Sequence, residues 1–571
     1  MRKIADTMHV DSSTVRRNGK SYTRTLLRET YRDAGKIKHR TIANISHCRP
    51  EEIEAIRLAL RHKGELAGMI ATPAPVLGLP SASPADEVSV VLKQGVSVGA
   101  VWLLSQVARE LGITSALGND RQGKLALWQV IARILDQGSR LSAVRLANKH
   151  DCGSVLGLTS FDEDDLYANL DWISEKQEVI EKRLFGKRAA SSADVFLYDV
   201  TSSYLEGTQN AFAAFGYNRD RKQGKRQIVI GLLCDGDGRP LSIEVFPGNT
   251  QDTKTFSSQV SKAVSRFGAE RVTFVGDRGM IKGPQIAELG TAGFHYITAI
   301  SKAQLEGLLA ADIVQMSLFD GTLAEVAAQD GVRYILRRNP VRAEEVAASR
   351  TDKLTALTTS ITTANEYLAA HPKGKVATQL KTCKARASKL CIDGLVNIVA
   401  EARSIIMSIN EEAMADATRL DGCYALRTDL TKDVASKEVV HARYKDLADV
   451  EKAFRDSKLT HLEIRPVYVR NETRTRGHAF VVMLAYLIVR HLRQCWRSID
   501  STVQEALDSL ASLTSVEVRV GAQASYSQIP APRDDVRHLF EAAGVSIPTA
   551  LPVQPGNVST RSKVPERRKR K

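Results

Sequence analysis

From Val195 to Asp277 the chain runs through a fixed order of patterns: VFLYDVTSSYLEG, then KRQIVIGLLCDGDGRPLSIEVFPGN, then DTKTFSSQVSKAVSRF, then RVTFVGDRGM. The first, second and last are β-like, and the second folds on itself at the turn Asp235-Gly236-Asp237-Gly238. The third carries apolar residues at helical spacing. Strand, hairpin, helix, strand is restrictive. The hairpin pairs antiparallel, whereas a helical crossover returns the chain parallel, so the sheet must be mixed. Two acids sit alike in this frame. Asp199 follows Phe196-Leu197-Tyr198, and Asp277 follows the apolar run from Val272 to Val275. A carboxylate where an apolar run leaves the core is presented rather than entombed.

This order is the opening of an RNase H-like fold, whose site needs a third acid from a helix. Glu451 lies in YKDLADVEKAFRDSK, which reads as one helix. Counted from Tyr444, residues Leu447, Glu451, Phe454 and Lys458 keep to one face. That spacing predicts an inward Glu451, and an inward carboxylate needs a cation. The plainer alternative is an ion pair from Glu451 to Arg455 on a solvated face. Carboxylate oxygens suit two Mg²⁺ (or Mn²⁺) ions, which take phosphate oxygens as further ligands. Asp199, on the central strand, is the expected bridge, supported by the hydroxyls of Thr201-Ser202-Ser203. Arg278 places a cation beside the phosphate.

The remaining chain divides by composition. Residues 1–75 read as a β-rich basic module, with strands on either side of Asp33-Ala34-Gly35 and a helix from Pro50. Residues 76–87 are a Pro/Ala/Ser-rich linker, and 88–190 a helical region for DNA binding or dimerisation. The core occupies 191–302 and 419–500, interrupted by an insertion domain at 303–418, and a C-terminal region with a basic tail follows at 501–571. The fold class is therefore α/β multidomain: an interrupted RNase H-like mixed-sheet core, a small N-terminal β module and helices. The net charge of +15 over 571 residues favours a polyanionic partner. Arg219, Arg221, Lys222, Lys225 and Arg226, just before a strand, are the best phosphate-binding candidates. Arg465, Arg470, Arg474, Arg476 and His478 are weaker ones. Seven scattered cysteines lack zinc spacing and suit a reducing cytosol. The start, MRKIADTMHVDSS, has no apolar signal core, and the apolar run from Ala479 to Val489 is short for a membrane span. A cytoplasmic, nucleoid-associated protein is expected.

Taken together, DVTSSYLEG, GDRGM and YKDLADVEKAFRDSK followed by LEIRPVYVRNETRTRGHAFVVMLAYLI resemble insertion-sequence transposases of the DDE class. The nearest subgroup carries a Tyr-x2-Arg-x3-Glu-x6-Lys signature, here Tyr444, Leu447, Glu451 and Lys458. Leu447 departs from it, standing where the signature has arginine; Arg455 is a substitute charge one turn away. The resemblance implies a catalytic, metal-binding triad of Asp199, Asp277 and Glu451, with Tyr444 and Lys458 on the DNA backbone. It also implies Mg²⁺ dependence, terminal inverted repeats and target DNA as partners, and a homodimer in the DNA complex. The expected activity is cleavage at element ends followed by transfer of the 3′-OH. The alternatives are a metal-dependent nuclease or resolvase on the same core, or an inactive DNA-binding derivative.

Overall fold

The fold is seen in a computed structural model that describes residues 7–17, 20–33, 36–61, 90–187, 195–205, 209–220, 222, 224–270, 272–459, 462–520, 524–552 and 558. The expected 76–87 linker, Ala34-Gly35, Arg221 and the basic tail 561–571 lie outside the described residues. Two units are present. One comprises residues 1–95, 515–529 and 549–553. It holds an antiparallel sheet of β1 (Thr7–Arg17), β2 (Lys20–Asp33) and β3 (Lys36–Asn44), followed by helix α1 (Pro50–Arg61). The expected pair of strands is β2 and β3; β1 is a third. In this sheet Arg28 pairs with Asp11 at 2.9 Å and Arg40 with Glu29 at 2.7 Å, so some of the basic charge is neutralised internally. The same unit joins β4 (Val90–Ser97) to β15 (Thr514–Val520), β16 (Ala524–Gln528) and β17 (Ala550–Leu551), in the order β17-β16-β15-β4.

The second unit carries the site. Its helical opening runs through α2 (Gly99–Glu110), α3 (Ile113–Leu117), α4 (Arg121–Leu135), α5 (Arg140–Leu146), α6 (Cys152–Leu156) and α7 (Glu163–Phe185). Asp162 caps α7 through the backbone N–H groups of Asp164 and Asp165, as the acidic run there predicts. Next come β5 (Val195–Tyr204), the hairpin β6 (Gln227–Asp235) and β7 (Pro240–Pro247), and α8 (Asp252–Ser265). Then follow β8 (Thr273–Gly276), α9 (Gly283–Thr291), β9 (His295–Ala299) and α10 (Lys302–Ala310).

The strand order β7-β6-β5-β8-β9 has β5, β6 and β7 antiparallel and β5, β8 and β9 parallel. That is the RNase H-like sheet. Its hairpin turns where expected: Asp235 Oδ1 accepts from the N–H groups of Asp237 and Arg239, and Gly238 takes φ +69. Phe196, Tyr198 and Val200 of β5 face a core shared with Phe256 and Val260 of α8, Phe274 of β8 and Leu289 of α9. Period-two alternation then sends Asp199 and Thr201 to the opposite face.

Segment 303–418 does two things. β10 (Ala324–Ala327) and β11 (Arg333–Arg338) extend the main sheet through β14 (Cys423–Thr428), in the order β10-β11-β14-β9. The excursion between β11 and β14 contains α11 (Pro340–Ala370), α12 (Val376–Leu390), the hairpin β12 (Val396–Glu401) and β13 (Ser404–Ile409), and α13 (Glu411–Arg419). It encloses a core of its own around Leu357, Leu368, Cys383 and Ile405.

After β14 the chain forms α14 (Lys437–Lys445), α15 (Leu447–Leu459), α16 (Glu472–Cys495), α17 (Val503–Ala511) and α18 (Asp534–Ala542). The helix expected across YKDLADVEKAFRDSK is thus two helices, broken at Asp446. α14 packs against β8 and β9, and α15 against β5. The apolar run from Ala479 to Val489 is buried in α16, which packs against α7 and α4. Among the described residues no helix is long and apolar enough to cross a membrane.

Candidate active site

The register of two parallel strands builds the floor of the site. Tyr198 of β5 pairs with Gly276 of β8, so Asp199 and Asp277 are the next residues on neighbouring parallel chains. β8 ends there. β5 does not: it continues to Tyr204 against β6, so Asp199 sits mid-strand, at the point where its parallel partner stops. Losing that partner opens the space above the carboxylate. Asp199 is half-buried and Asp277 exposed. Each holds an adjacent backbone N–H through its Oδ1, Asp199 that of Val200 at 2.8 Å and Asp277 that of Arg278 at 2.7 Å.

Helices α14 and α15 roof the site. Tyr444 on α14 donates its hydroxyl to Asp277 Oδ1 at 3.4 Å. Lys458 near the end of α15 donates to Thr201 Oγ1 at 2.7 Å and to Asp220 Oδ1 at 3.0 Å, and also reaches the Ser202 carbonyl. Because Thr201 shares the Asp199 face of β5, the lysine pins α15 over that face. Gly238 of the β6–β7 turn comes so close to α15 that a Cβ would lie 2.4 Å from Asp449 Cβ. The turn and the lysine together fix where α15 rests.

Glu451 is exposed, not inward. The buried face of α15 is Val450, Ala453, Phe454 and Ser457, one residue round from the predicted face. Leu447, Glu451, Phe454 and Lys458 all lie within α15 and do share a face; it is the seating of the helix on Val450, Ala453, Phe454 and Ser457 that leaves Glu451 at the solvent edge. An ion pair from Glu451 to Arg455 is not formed among the described residues; Arg455 too is exposed. Glu451 still acts on the floor. Burial pushes the Asp199 carboxyl up to about 7, and the charges of Asp277 and Glu451 push the same way. The Val200 N–H and the Arg219 cation oppose the shift.

Among the described residues no three His, Cys, Asp or Glu side chains are gathered into a ready-made metal cage. The donor set nevertheless fits hard divalent cations. It consists of carboxylates alone, two of them open to solvent, and their mutual repulsion at Asp199 is what a cation would relieve. Burial likewise raises the Tyr444 hydroxyl and lowers the Lys458 ammonium, the latter opposed by Asp220.

The other expected residues divide. Thr201 and Ser202 do not touch Asp199: Thr201 accepts from Lys458, and Ser202 Oγ accepts from the Arg219 N–H at 2.8 Å. Arg219 also pairs with Asp252. Lys222, Lys225 and Arg226 are exposed, with Lys222 over the Tyr204 ring and Arg226 over Phe215. The aromatics Phe215 and Tyr217, 64% and 82% exposed, escape the reading of the sequence; their place just ahead of the basic cluster from Arg219 is the signal it offers. Beyond the glutamate the basic residues are mostly structural. Arg465 pairs with Glu463, Arg474 with Asp171 and Arg476 with Glu472, while His478 is buried.

Two family models match the chain. One is the N-terminal domain of IS1634 family transposases, over residues 10–72; the other is the transposase DDE domain, over residues 190–488. No curated protein matches. Among solved structures, a piggyBac transposase synaptic complex with hairpin DNA is similar over 72% of this chain and 75% of that one, at 8% identity and a TM-score of 0.35. The DDE match spans over half the sequence and encloses all three acids: the chain belongs to the DDE transposases of insertion sequences.

Proposed function

We propose that Asp199, Asp277 and Glu451 are the catalytic triad and that they hold two Mg²⁺ or Mn²⁺ ions. The observation that carries this is the β5–β8 register, which sets two carboxylates side by side at a parallel-strand end with α15 packed over the same face. Divalent cations bound there would offset phosphate charge and lower the pKa of the attacking hydroxyl. The protein's own residues supply the rest. Asp199, raised and half-buried, is the group whose charge a bound cation would relieve most. Tyr444 orients Asp277, and Lys458 holds α15 against β5 while keeping a cation near the phosphate path. Arg278 and Arg455, both exposed, and Arg219, Lys222, Lys225 and Arg226 flank the site as backbone contacts.

Cleavage uses water at the element end, and transfer uses the freed 3′-OH on target DNA. Both are phosphoryl transfers at one phosphorus geometry, so one triad serves both. Synapsis of two ends calls for a homodimer on DNA, and the reaction belongs where the chromosome is, in the cytoplasm at the nucleoid. The Tyr-Arg-Glu-Lys assignment belongs to this proposal, with Leu447 supplying no phosphate contact.

The test is Asp277→Ala. With a duplex of the terminal sequence bordering the gene, cleavage should fall by on the order of 10³-fold or more while binding persists. Cleavage at the wild-type rate would remove Asp277 from the chemistry.

A further inference from the structure

Next to Asp277, on the side away from β5, lies a cavity of about 390 Å³ whose lining has no acidic residue. Three cations border it: Arg278, which follows the aspartate; Lys282, which precedes α9; and Arg427 on β14. None of the three forms an ion pair among the described residues. Arg427 is the most telling. It is half-buried over the Tyr296 ring, 5.8 Å from the centroid, and its Nε is buried with no hydrogen-bond partner. An orphaned buried guanidinium donor is costly unless something polar arrives. The first residue of α9, Gly283, and the cap of α10, Ser301, also line the cavity. The positive ends of two nine-residue helices therefore add to the same field.

The contrast within the unit is sharp. The cavity of about 690 Å³ beside the β6–β7 turn is lined by Asp235, Asp237, Asp446 and Asp449 as well as by basic residues. There the four acids are matched by Lys187, Arg239, Arg443 and Arg490, so a polyanion meets no net attraction, whereas the lining on the Asp277 side carries only positive charge. We propose that Arg278, Lys282 and Arg427 form a phosphodiester subsite that holds the backbone of the DNA strand flanking the reacting bond. The proposal rests on the active-site reading above and gives the strand its path: past Asp277, over the start of α9, towards β14. Lys282 and Arg427 are binding residues for phosphate and contact no base, so their effect is independent of sequence.

The experiment uses the full-length protein and a short duplex carrying the terminal sequence that borders its gene, titrated in EDTA at several salt concentrations. Each lost phosphate contact lowers the slope of log K against log salt by about 0.9. Lys282→Gln should lower it by about one and Lys282→Gln/Arg427→Gln by about two, with Arg427→Lys restoring most of the second. Should Arg427→Gln not fold, Arg278→Gln/Lys282→Gln reads the same loss. A wild-type slope in the folded double variant overturns the subsite. Asp277→Asn separates this from the active-site reading: it should abolish cleavage and keep the slope. If Asp277→Asn still cleaves while the double variant loses slope, the triad is wrong and the subsite stands. Two assays identify the strand, both outcomes supporting the subsite. Slower cleavage of the end-bearing duplex assigns it to the element, and slower joining of pre-cleaved ends with normal cleavage assigns it to the target.

Discussion

At Asp199 the protein keeps an unfavourable charge for the sake of what it can bind. An acid whose folded pKa is about 7, against an ordinary 3.8, binds protons more tightly folded than unfolded. Its ionisation therefore removes stability as pH rises from about 4 to about 7, and the full cost, at most about 4 kcal/mol, stands above that. Asp199→Asn should melt higher than wild type in EDTA near pH 8 and show no gain near pH 4. His478 works in the opposite sense. Its Nδ1 lies 2.9 Å from Arg140 Nη2, a permanent donor, so the ring accepts there and stays neutral, with Nε2 facing the Glu463 carbonyl. Burial and the charges of Arg133 and Arg140 hold it well below the ordinary histidine range. A histidine depressed this way costs stability as pH falls below about 6.5, by up to about 1.4 kcal/mol per pH unit. Urea midpoints between about pH 7 and pH 5 should drop less steeply in His478→Gln than in wild type.

At the scale of elements, two contacts decide where helices rest. Gly477 lets α16 approach α7 so closely that a Cβ would lie 2.2 Å from the Leu170 carbonyl oxygen. Alanine would help an isolated helix by about 1 kcal/mol, yet this obstacle is backbone and cannot swing aside. Gly477→Ala should therefore lower stability by about 1–3 kcal/mol, read by denaturant unfolding. Lys458 ties α15 to β5 through Thr201 and to Asp220. Lys458→Met leaves the partly buried Asp220 without its cation and should cost about 2 kcal/mol as well as activity. Tyr444→Phe removes a single long hydrogen bond, so stability should move by less than about 0.5 kcal/mol. Equal losses in the two variants would contradict this ranking.

Across the whole molecule, the excursion between β11 and β14 leaves and re-enters the sheet at one place. Arg338 faces Cys423 in the antiparallel register, and the Asn339 N–H bonds the Gly422 carbonyl at 2.9 Å. With its own apolar core, residues 340–421 should be replaceable by an Asn-Gly turn without unfolding the sheet. Cooperative unfolding retained at about the wild-type temperature supports this; loss of the folded state refutes it. Much of this plan is written locally. The hairpin turn at residues 235–238, the crossover helix α8 and the two aspartates after apolar runs all follow from periodicity and turn chemistry between Val195 and Asp277, and those determine the RNase H-like sheet. What residues 324–338 pair with cannot be read that way, because sheet neighbours far apart in sequence are chosen by which edge stands open. The direction of Glu451 departs from its predicted one for a related reason. Spacing says which residues share a face of α15, but which face meets β5 is set by how the helix is seated, and the side of Val450, Ala453 and Ser457 is the buried one. The cations at 278, 282 and 427 are scattered along the chain and share no pattern. Only the parallel and antiparallel pairing of β8, β9 and β14 brings them to one cavity, because strand registry rather than sequence distance sets which charges meet.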